Sequence, residues 1–188
     1  MSRKMDCGNY PLCGVLAIES GLGSGKYKSK HAIAHGLWPE TGVYGNSQCL
    51  GGNGQERDPD ENTCDPPYKG CSKEWEGCSL PFAPTGESGF AMHEWCKHGK
   101  CAGFDDSIEY TQFLADMSNP INRFIGSVRH LGWDGIKREV CKRFPERVWQ
   151  FDDEHKQILF KTCSMGEGAW NVCPSFQRPG ACDRYCHG

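Results

Sequence analysis

The sequence predicts an α+β fold, with a central antiparallel sheet flanked by helices and stapled by disulfides. Strand-like segments lie towards both ends of the chain and helix-like segments between them, so strands and helices do not alternate as they do in a parallel sheet. Thirteen cysteines among 188 residues indicate disulfide bonds and an oxidising compartment. A chain of this length buries enough surface for a core of its own, so we expect a single domain over residues 1–188.

Two strands are predicted in the N-terminal part of the chain. Residues 15–18 form a short apolar run, and residues 30–40 (KHAIAHGLWPE) are extended, with His31, Ile33 and His35 on one face at a period of two. The glycine-rich loop between these strands lacks the Gly-Lys-Ser/Thr ending of a phosphate-binding loop. It is therefore interpreted as a connection and not as a nucleotide site.

Residues 49–84 show almost no apolar periodicity. Gly, Asp, Asn and Pro dominate this stretch, and Cys64, Cys71 and Cys78 follow one another at intervals of seven. A loop of this length is unusual unless it is functional or held by disulfides, and the cysteines favour the second explanation. We expect a cysteine-rich loop insert within the single domain.

The second half of the chain is predicted to be mainly helical. A first helix begins with Ser107 as its N-cap, and a second one begins with Asn119 as N-cap and Pro120 in its first turn. A third, shorter helix ends at Pro145 because proline cannot continue a helix. Residues 147–163 consist of two β-rich runs around a polar turn, which is typical of a hairpin.

Composition also restricts the partners and the compartment. The formal net charge of −3 gives no basic face to the whole molecule, so a polyanionic partner requires a local basic cluster. No apolar run approaches the length of a membrane span, and no membrane partner is expected. No signal peptide is visible, but the cysteines favour secretion, so we expect a mature form whose leader is missing. A cytosolic protein with many zinc ligands is the alternative.

The stretch MHEWCKHGKC, residues 92–101, is the richest in reactive side chains. Metalloprotease helices carry two histidines four residues apart, whereas His93 and His98 are five apart, which places them roughly 140° from a common face of an α-helix. Cys96, His98 and Cys101 are potential zinc ligands, but paired Cys-x-x-Cys knuckles are missing. We therefore expect no metal and no cofactor.

A second segment that begins with a histidine is HGLWPE, residues 35–40. HGLWPE and HEWCKHGKC resemble the two active-site segments of the ribonuclease T2 family, whose patterns are His-Gly-Leu-Trp-Pro-acidic and His-Glu-Trp-x-Lys-His-Gly-x-Cys. The resemblance implies an endoribonuclease that cleaves single-stranded RNA without a metal. Its first step is a transfer that gives a 2′,3′-cyclic phosphate, and its second is hydrolysis to a 3′-phosphate.

The family pattern also implies a role for each residue of the site. His98 would be the general base and His35 the general acid, because imidazoles titrate near neutrality and serve either role. His93 would hold the phosphate, and Lys97 with Glu94 would stabilise the charge that rises on the phosphorane oxygens. One imidazole must be neutral and the other charged, so a bell-shaped pH profile is expected.

Substrate binding and one disulfide follow from the same resemblance. Trp38 and Glu40 match family positions that contact the first base, and Phe90 matches an aromatic residue at the second base site. Cys49 and Cys101 stand where the family has a bridge between the two active-site segments. The first strand lacks the Gln/His-Trp-Pro sequence of most members, which implies a different second-base pocket. The resemblance further implies a monomer in a secreted or vacuolar/lysosomal compartment.

The sequence is compatible with several alternatives. The chain could be a catalytically silent, disulfide-rich protein that binds RNA or another ligand on the same fold, or a zinc-dependent hydrolase. Trp38 is compatible with the core as well as with base stacking, whereas Trp95 is expected in the core. Cys163 is expected to pair within the tail, with Cys182 or Cys186, and most other cysteines have no assignment. Since thirteen is odd, at least one thiol is free, intermolecular or a ligand.

Overall fold

The structure is a computed structural model. It describes the following parts of the chain: residues 7–39, 49–50, 56–57, 88–166, 168–173 and 181–185. At four short stretches only the backbone is described: residues 49–50, 56–57, 88–90 and 183–184.

An antiparallel sheet forms the centre of the molecule. Its strands are β1 (Leu12–Glu19), β2 (Ile33–Pro39), β5 (Val148–Asp152), β6 (Gln157–Ser164) and β7 (Trp170–Val172), and β3 (Cys49–Leu50) pairs with β4 (Glu56–Arg57) in a separate two-stranded ribbon. The strand order is β2-β1-β6-β5, and β7 adds to β6. The predicted α+β class, the first two strands and the C-terminal hairpin are thereby confirmed.

The two faces of the sheet are covered differently. Leu16, Ile18 and Phe160 belong to the main hydrophobic core, which also includes residues of the helices. Successive side chains of a strand point to opposite faces, so Val15 and Ala17 lie in a smaller cluster on the other face, together with the half-buried Trp38 and Trp149. Trp38 of this second cluster also lies close to His35 and His98.

The helices are α1 (Ser88–Glu94), α2 (Ser107–Val128) and α3 (Gly132–Arg143). The prediction of two helices between Ser107 and Gly132 was wrong, because α2 continues through Pro120. Proline removes one backbone hydrogen bond of a helix, but Leu114, Ile121 and Ile125 are all buried in the main core. Their spacing of seven and four residues gives one continuous apolar stripe, and its burial outweighs the lost bond.

The start of α2 also differs from the prediction. Asp106, and not Ser107, is the N-cap, since its side chain accepts hydrogen bonds from the backbone amides of Ile108 and Glu109 at 2.9 Å each. Ser107 is buried as the first residue of the helix. Aspartate and serine are both good N-caps, so two adjacent candidates left the sequence ambiguous by one residue. The third helix ends before Pro145, as predicted.

Three disulfides join described residues: Cys7–Cys13, Cys141–Cys182 and Cys163–Cys173. The expectation that Cys163 pairs with Cys182 or Cys186 was wrong. Cys163 lies on β6 opposite Asn171 of β7, which brings Cys173 within reach just beyond the strand. The sulfur of Cys182 instead joins the C-terminal turn to α3.

The cysteine-rich insert predicted at residues 49–84 lies outside the described residues except for the β3–β4 ribbon, and the single-domain organisation stays a prediction. Among the described residues, no helix is both long and apolar enough to cross a bilayer.

Candidate active site

A β-bulge places the first candidate histidine. In the pairing of β1 with β2, Ala17 lies opposite Gly36 and Ile18 opposite Ala34, which leaves His35 as an extra residue between them. A bulge re-aims the side chain it contains and often lies next to an active site. His35 therefore departs from the regular alternation of β2.

His35 is clamped between two buried carboxylates. Its Nδ1 lies 3.0 Å from Oε1 of Glu19, its Nε2 lies 3.3 Å from Oε1 of Glu94, and the side-chain amide of Gln157 lies 2.8 Å from Nδ1. Burial alone lowers the pKa of His35, but the hydrogen bonds and charges of the two glutamates outweigh this and raise the pKa to about 9. The imidazole is therefore protonated at neutral pH, with Nδ1 donating to Glu19 and Nε2 donating to Glu94.

The carboxylate of Glu94 is held by two neighbours, His35 and Trp38. Besides the contact with His35, its Oε2 accepts a hydrogen bond of 2.9 Å from the indole Nε1 of Trp38. Burial raises the pKa of Glu94, but the hydrogen bond from His35 and the nearby imidazoles lower it more, so the side chain is a carboxylate at neutral pH. Gly36 makes this approach possible, because a Cβ atom there would overlap Oε2 of Glu94.

The second segment contains a helical turn that the sequence did not predict. After α1, residues Trp95–Gly99 form a π-helical turn, in which backbone hydrogen bonds join residues five apart. His93 and His98 are also five apart and share one side of this turn, with ring centroids 6.2 Å from each other. The angle of roughly 140° that an α-helix would give for this spacing does not apply here, because the turn is π-helical.

His98 is buried, and its pKa is shifted in the opposite direction from that of His35. Burial lowers its pKa, Glu94 partly offsets this, and the charges of Lys97, His93 and His35 lower it further, to about 4. Its Nδ1 is buried and has no hydrogen-bond partner in the described part of the chain. At neutral pH His98 is consequently a neutral imidazole, which is the form that takes up a proton.

Trp38 links the two imidazoles. Its ring centroid lies 5.1 Å from that of His35 and 5.6 Å from that of His98. Because its indole N–H also donates a hydrogen bond to Glu94, Trp38 belongs to the site and not only to the core. Trp95 is fully buried and packs against Tyr110 at 5.9 Å between centroids, which confirms the expectation that it is a core residue.

The predicted site residues thus divide into two groups. Six of them lie in one neighbourhood: His35, Trp38, His93, Glu94, Lys97 and His98. Lys97 is half-buried in the same π-helical turn as His98. Glu40 lies outside the described residues, and only the backbone of Phe90 is described, as part of α1. The base-binding roles of these residues stay predictions.

The predicted bridge between the two segments is only partly visible. Cys101 is disulfide-bonded, and the backbone of β3, which contains Cys49, contacts the helical turn Lys100–Ala102. The side chain of Cys49 is not among those described, so the Cys49–Cys101 pairing stays a prediction.

Two polar residues of the site were not singled out from the sequence. Glu19 ends β1 and Gln157 begins β6, and the two lie opposite each other in the strand register. Both are buried. The available signal was a carboxylate directly after an apolar strand, but its partner His35 becomes apparent only once β1 and β2 are paired.

A metal at this site would have to compete with existing contacts. His93, Glu94 and His98 offer donor atoms that all lie within 4.8 Å of one another. Both oxygens of Glu94 already bind His35 and Trp38. Cys96 and Cys101 are disulfide-bonded, so the ligand set of cysteines with His98 that a zinc site would use is not available.

A charged and a neutral imidazole on either side of one carboxylate form the arrangement of an acid–base enzyme. Comparison with known families agrees, since the sequence profile described as "Ribonuclease T2 family" matches residues 12–124. The match spans more than half of the chain, and the chain therefore belongs to the ribonuclease T2 family. Membership supports ribonuclease activity for this protein.

The chain was also compared with curated proteins and with solved structures. Comparison with curated proteins gave no significant match. Among solved structures, the chain is similar to a tyrosine-to-alanine mutant of RNase MC1 in complex with 5′-UMP, at 16% sequence identity and a TM-score of 0.45. The similarity covers 88% of this chain and 100% of that one.

Proposed function

We propose that the protein is a metal-independent endoribonuclease that cleaves single-stranded RNA by transphosphorylation. The observation that carries this proposal is that His35 and His98 both lie next to Trp38 and Glu94, with the pKa of His35 raised and that of His98 lowered. An RNA transfer reaction needs one group that accepts a proton and one that supplies it. The raised pKa of His35 suits it to supply a proton, and the lowered pKa of His98 suits it to accept one.

In the first step, neutral His98 takes the proton from the 2′-OH, and the 2′-oxygen forms a bond to phosphorus. The bond from phosphorus to the 5′-oxygen breaks, and His35 gives its Nε2 proton to that leaving oxygen. His93 and Lys97 stabilise the charge on the non-bridging oxygens in between. The products are a 2′,3′-cyclic phosphate and a free 5′-OH, with His98 now charged and His35 neutral.

The second step returns the site to its starting state. His35, now neutral, takes a proton from water, and the water oxygen attacks phosphorus. The bond to the 2′-oxygen breaks and His98 gives back its proton, so that a 3′-phosphate results. Because the nucleophile of the first step is the 2′-OH, DNA is not a substrate. Trp38, Glu40 and Phe90 are proposed to bind the flanking bases by stacking and hydrogen bonding.

The family and the disulfides support a secreted or vacuolar/lysosomal setting for this activity. We propose a monomer that comprises a single catalytic domain.

The proposal is tested with a defined RNA oligonucleotide and mass analysis of the cleaved ends. His35→Ala and His98→Ala should each lower cleavage by roughly 10²–10⁴-fold, whereas His130→Ala, which changes an exposed histidine on the last turn after α2, should keep full activity. Cleavage in EDTA with cyclic phosphate ends is expected. RNA binding without cleavage would instead identify a catalytically silent protein, and loss of cleavage in EDTA would identify a zinc hydrolase.

A further inference from the structure

We propose that the loop between β1 and β2, residues 20–32 (the basic loop), binds the RNA backbone beyond the cleaved bond. The inference rests on the proposed function and adds a binding surface to it. Lys26, Lys28, Lys30 and His31 lie in this loop, and the sequence has no Asp or Glu between Glu19 and Glu40. In a chain with a formal net charge of −3, such a stretch is a local cationic surface for a polyanion.

The basic loop faces solvent and reaches the candidate site. The three lysines and His31 are exposed. Tyr27 is half-buried between them, and its ring centroid lies 6.1 Å from that of His35. The ammonium group of Lys26 lies 5.3 Å from the centre of the Tyr27 ring. The basic loop therefore borders the candidate site, with the Tyr27 ring between Lys26 and His35.

The lysines are available for a ligand. Lys26, Lys28 and Lys30 form no ion pair with a carboxylate in the described part of the chain. The loop backbone is nevertheless fixed, because the guanidinium of Arg129 after α2 donates to the carbonyls of Gly21, Ser29 and Lys30. Because the backbone is already fixed, the loop loses little backbone entropy when its lysines bind phosphates.

An acidic turn lies next to the basic loop, and its described ion pairs are with residues outside the loop. The His155 ring lies 4.4 Å from that of Tyr27, and the turn before it contains Asp152, Asp153 and Glu154. Asp152 binds His155 at 2.7 Å, and Asp153 binds Lys137 and the indole of Trp133. Two of the three acids are thus paired, and Glu154 lies 4.0 Å from the His155 ring.

Phosphate contacts leave a specific signature in the salt dependence of binding. Each neutralised phosphate of a single strand contributes about −0.7 to the slope of log K against log salt concentration. Three lysines that each contact a phosphate therefore contribute roughly −2 to the slope. A short substrate that does not extend to the loop gains nothing from these contacts.

The test compares two triple variants that each remove three positive charges. Lys26→Gln, Lys28→Gln and Lys30→Gln are combined in the loop variant. Arg138→Gln, Lys142→Gln and Arg143→Gln are combined in the control variant on α3, where all three side chains are exposed. Binding of a 2′-O-methyl RNA oligonucleotide of about twelve nucleotides is measured by fluorescence anisotropy at several salt concentrations. This probe cannot be cleaved because its 2′-oxygens are methylated.

We expect the loop variant to bind at least about tenfold more weakly at low salt, with a slope reduced by roughly 2, and the control variant to bind almost as the wild type does. For cleavable RNA, kcat/KM of the long substrate should fall in the loop variant while that of a dinucleotide stays unchanged. Equal losses in both variants, or an equal loss on the dinucleotide, would overturn the inference. Binding through the loop without any RNA cleavage by the wild type would refute the proposed function alone.

Discussion

Replacement of Glu19 by glutamine tests what keeps His35 protonated. Glu19 Oε1 lies 3.0 Å from Nδ1, and the Glu19 side chain is only 4% exposed. Glutamine has nearly the same shape and its amide oxygen still accepts a hydrogen bond, so the change removes mainly the charge. Glu94 remains on the other ring nitrogen.

The size of the effect follows from the pKa of His35. The rise from 6.5 to about 9 corresponds to about 3 kcal/mol, and it remains after burial has opposed it. The two carboxylates together therefore contribute more than this, and loss of one should lower the pKa by about one unit or more.

The pKa of His35 is expected to set the alkaline limb of the pH profile of kcat/KM. In the wild type, activity should rise as His98 loses its proton near pH 4 and fall as His35 loses its proton near pH 9. The plateau is broader than two ordinary imidazoles would produce. In Glu19→Gln the alkaline limb should move down by about one pH unit or more, while the acid limb stays in place. The assay is dinucleotide cleavage across pH, together with an NMR titration of the His35 ring.

Stability should respond with the same sign. A raised histidine pKa contributes stability that is fully present below pH 6.5 and is lost as the pH rises through about 9. The difference in the free energy of unfolding between wild type and Glu19→Gln should thus be largest below pH 6.5, at about 1.4 kcal/mol per unit of lost pKa shift. Glu109→Gln, which changes an exposed glutamate on α2, is the control. An alkaline limb and a His35 titration that both stay at their wild-type pH would refute the reasoning.

Three further changes have expected outcomes. Gly36→Ala should displace the Glu94 carboxylate, because the new Cβ would overlap it, and we expect a loss of cleavage and about 1–3 kcal/mol of stability. Asp106→Ala should cost about 1 kcal/mol, measured by urea unfolding, because α2 loses its N-cap. Removal of the Cys141–Cys182 bridge, which closes a sequence separation of 41, should cost about 4 kcal/mol in the chain-entropy model.

Each of these changes has a matched control. Gly126→Ala lies in α2 with nothing within 4 Å of the added Cβ, so it should leave cleavage intact and stabilise the helix slightly. Asp105→Ala removes the neighbouring exposed carboxylate without touching the cap. Loss of the shorter Cys7–Cys13 bridge, with a separation of 6, should cost only about 2 kcal/mol. Equal effects of a change and its control would contradict the corresponding explanation.

Sequence reasoning succeeded where the information is local. The apolar runs of β1 and β2, the end of α3 before Pro145 and the β5–β6 hairpin depend on periodicity and on turn residues, which are visible within a few positions. The two histidine segments were visible for the same reason, since each motif lies within a short stretch of chain.

Features that depend on pairing or on backbone hydrogen bonding were not visible. The bulge at His35 exists only relative to the register of β1, and the contact from Glu19 joins two different strands. The continuity of α2 through Pro120 was decided by burial in the core. The partner of Cys163 was decided by the addition of β7 to the sheet. The bulge, the contact from Glu19 and the partner of Cys163 have no signature in residue spacing alone.

At the π-helical turn Trp95–Gly99, regular α-helical hydrogen bonding and the proposed RNA cleavage require different chain lengths. If one residue were deleted between His93 and His98, the segment could continue as an ordinary α-helix, with the better hydrogen-bond geometry that most helices have. The histidines would then stand four apart, in the spacing of a metal-binding helix, and His98 would leave its buried position next to Trp38. Selection for a more stable scaffold and selection for turnover would therefore favour different chain lengths at this single turn.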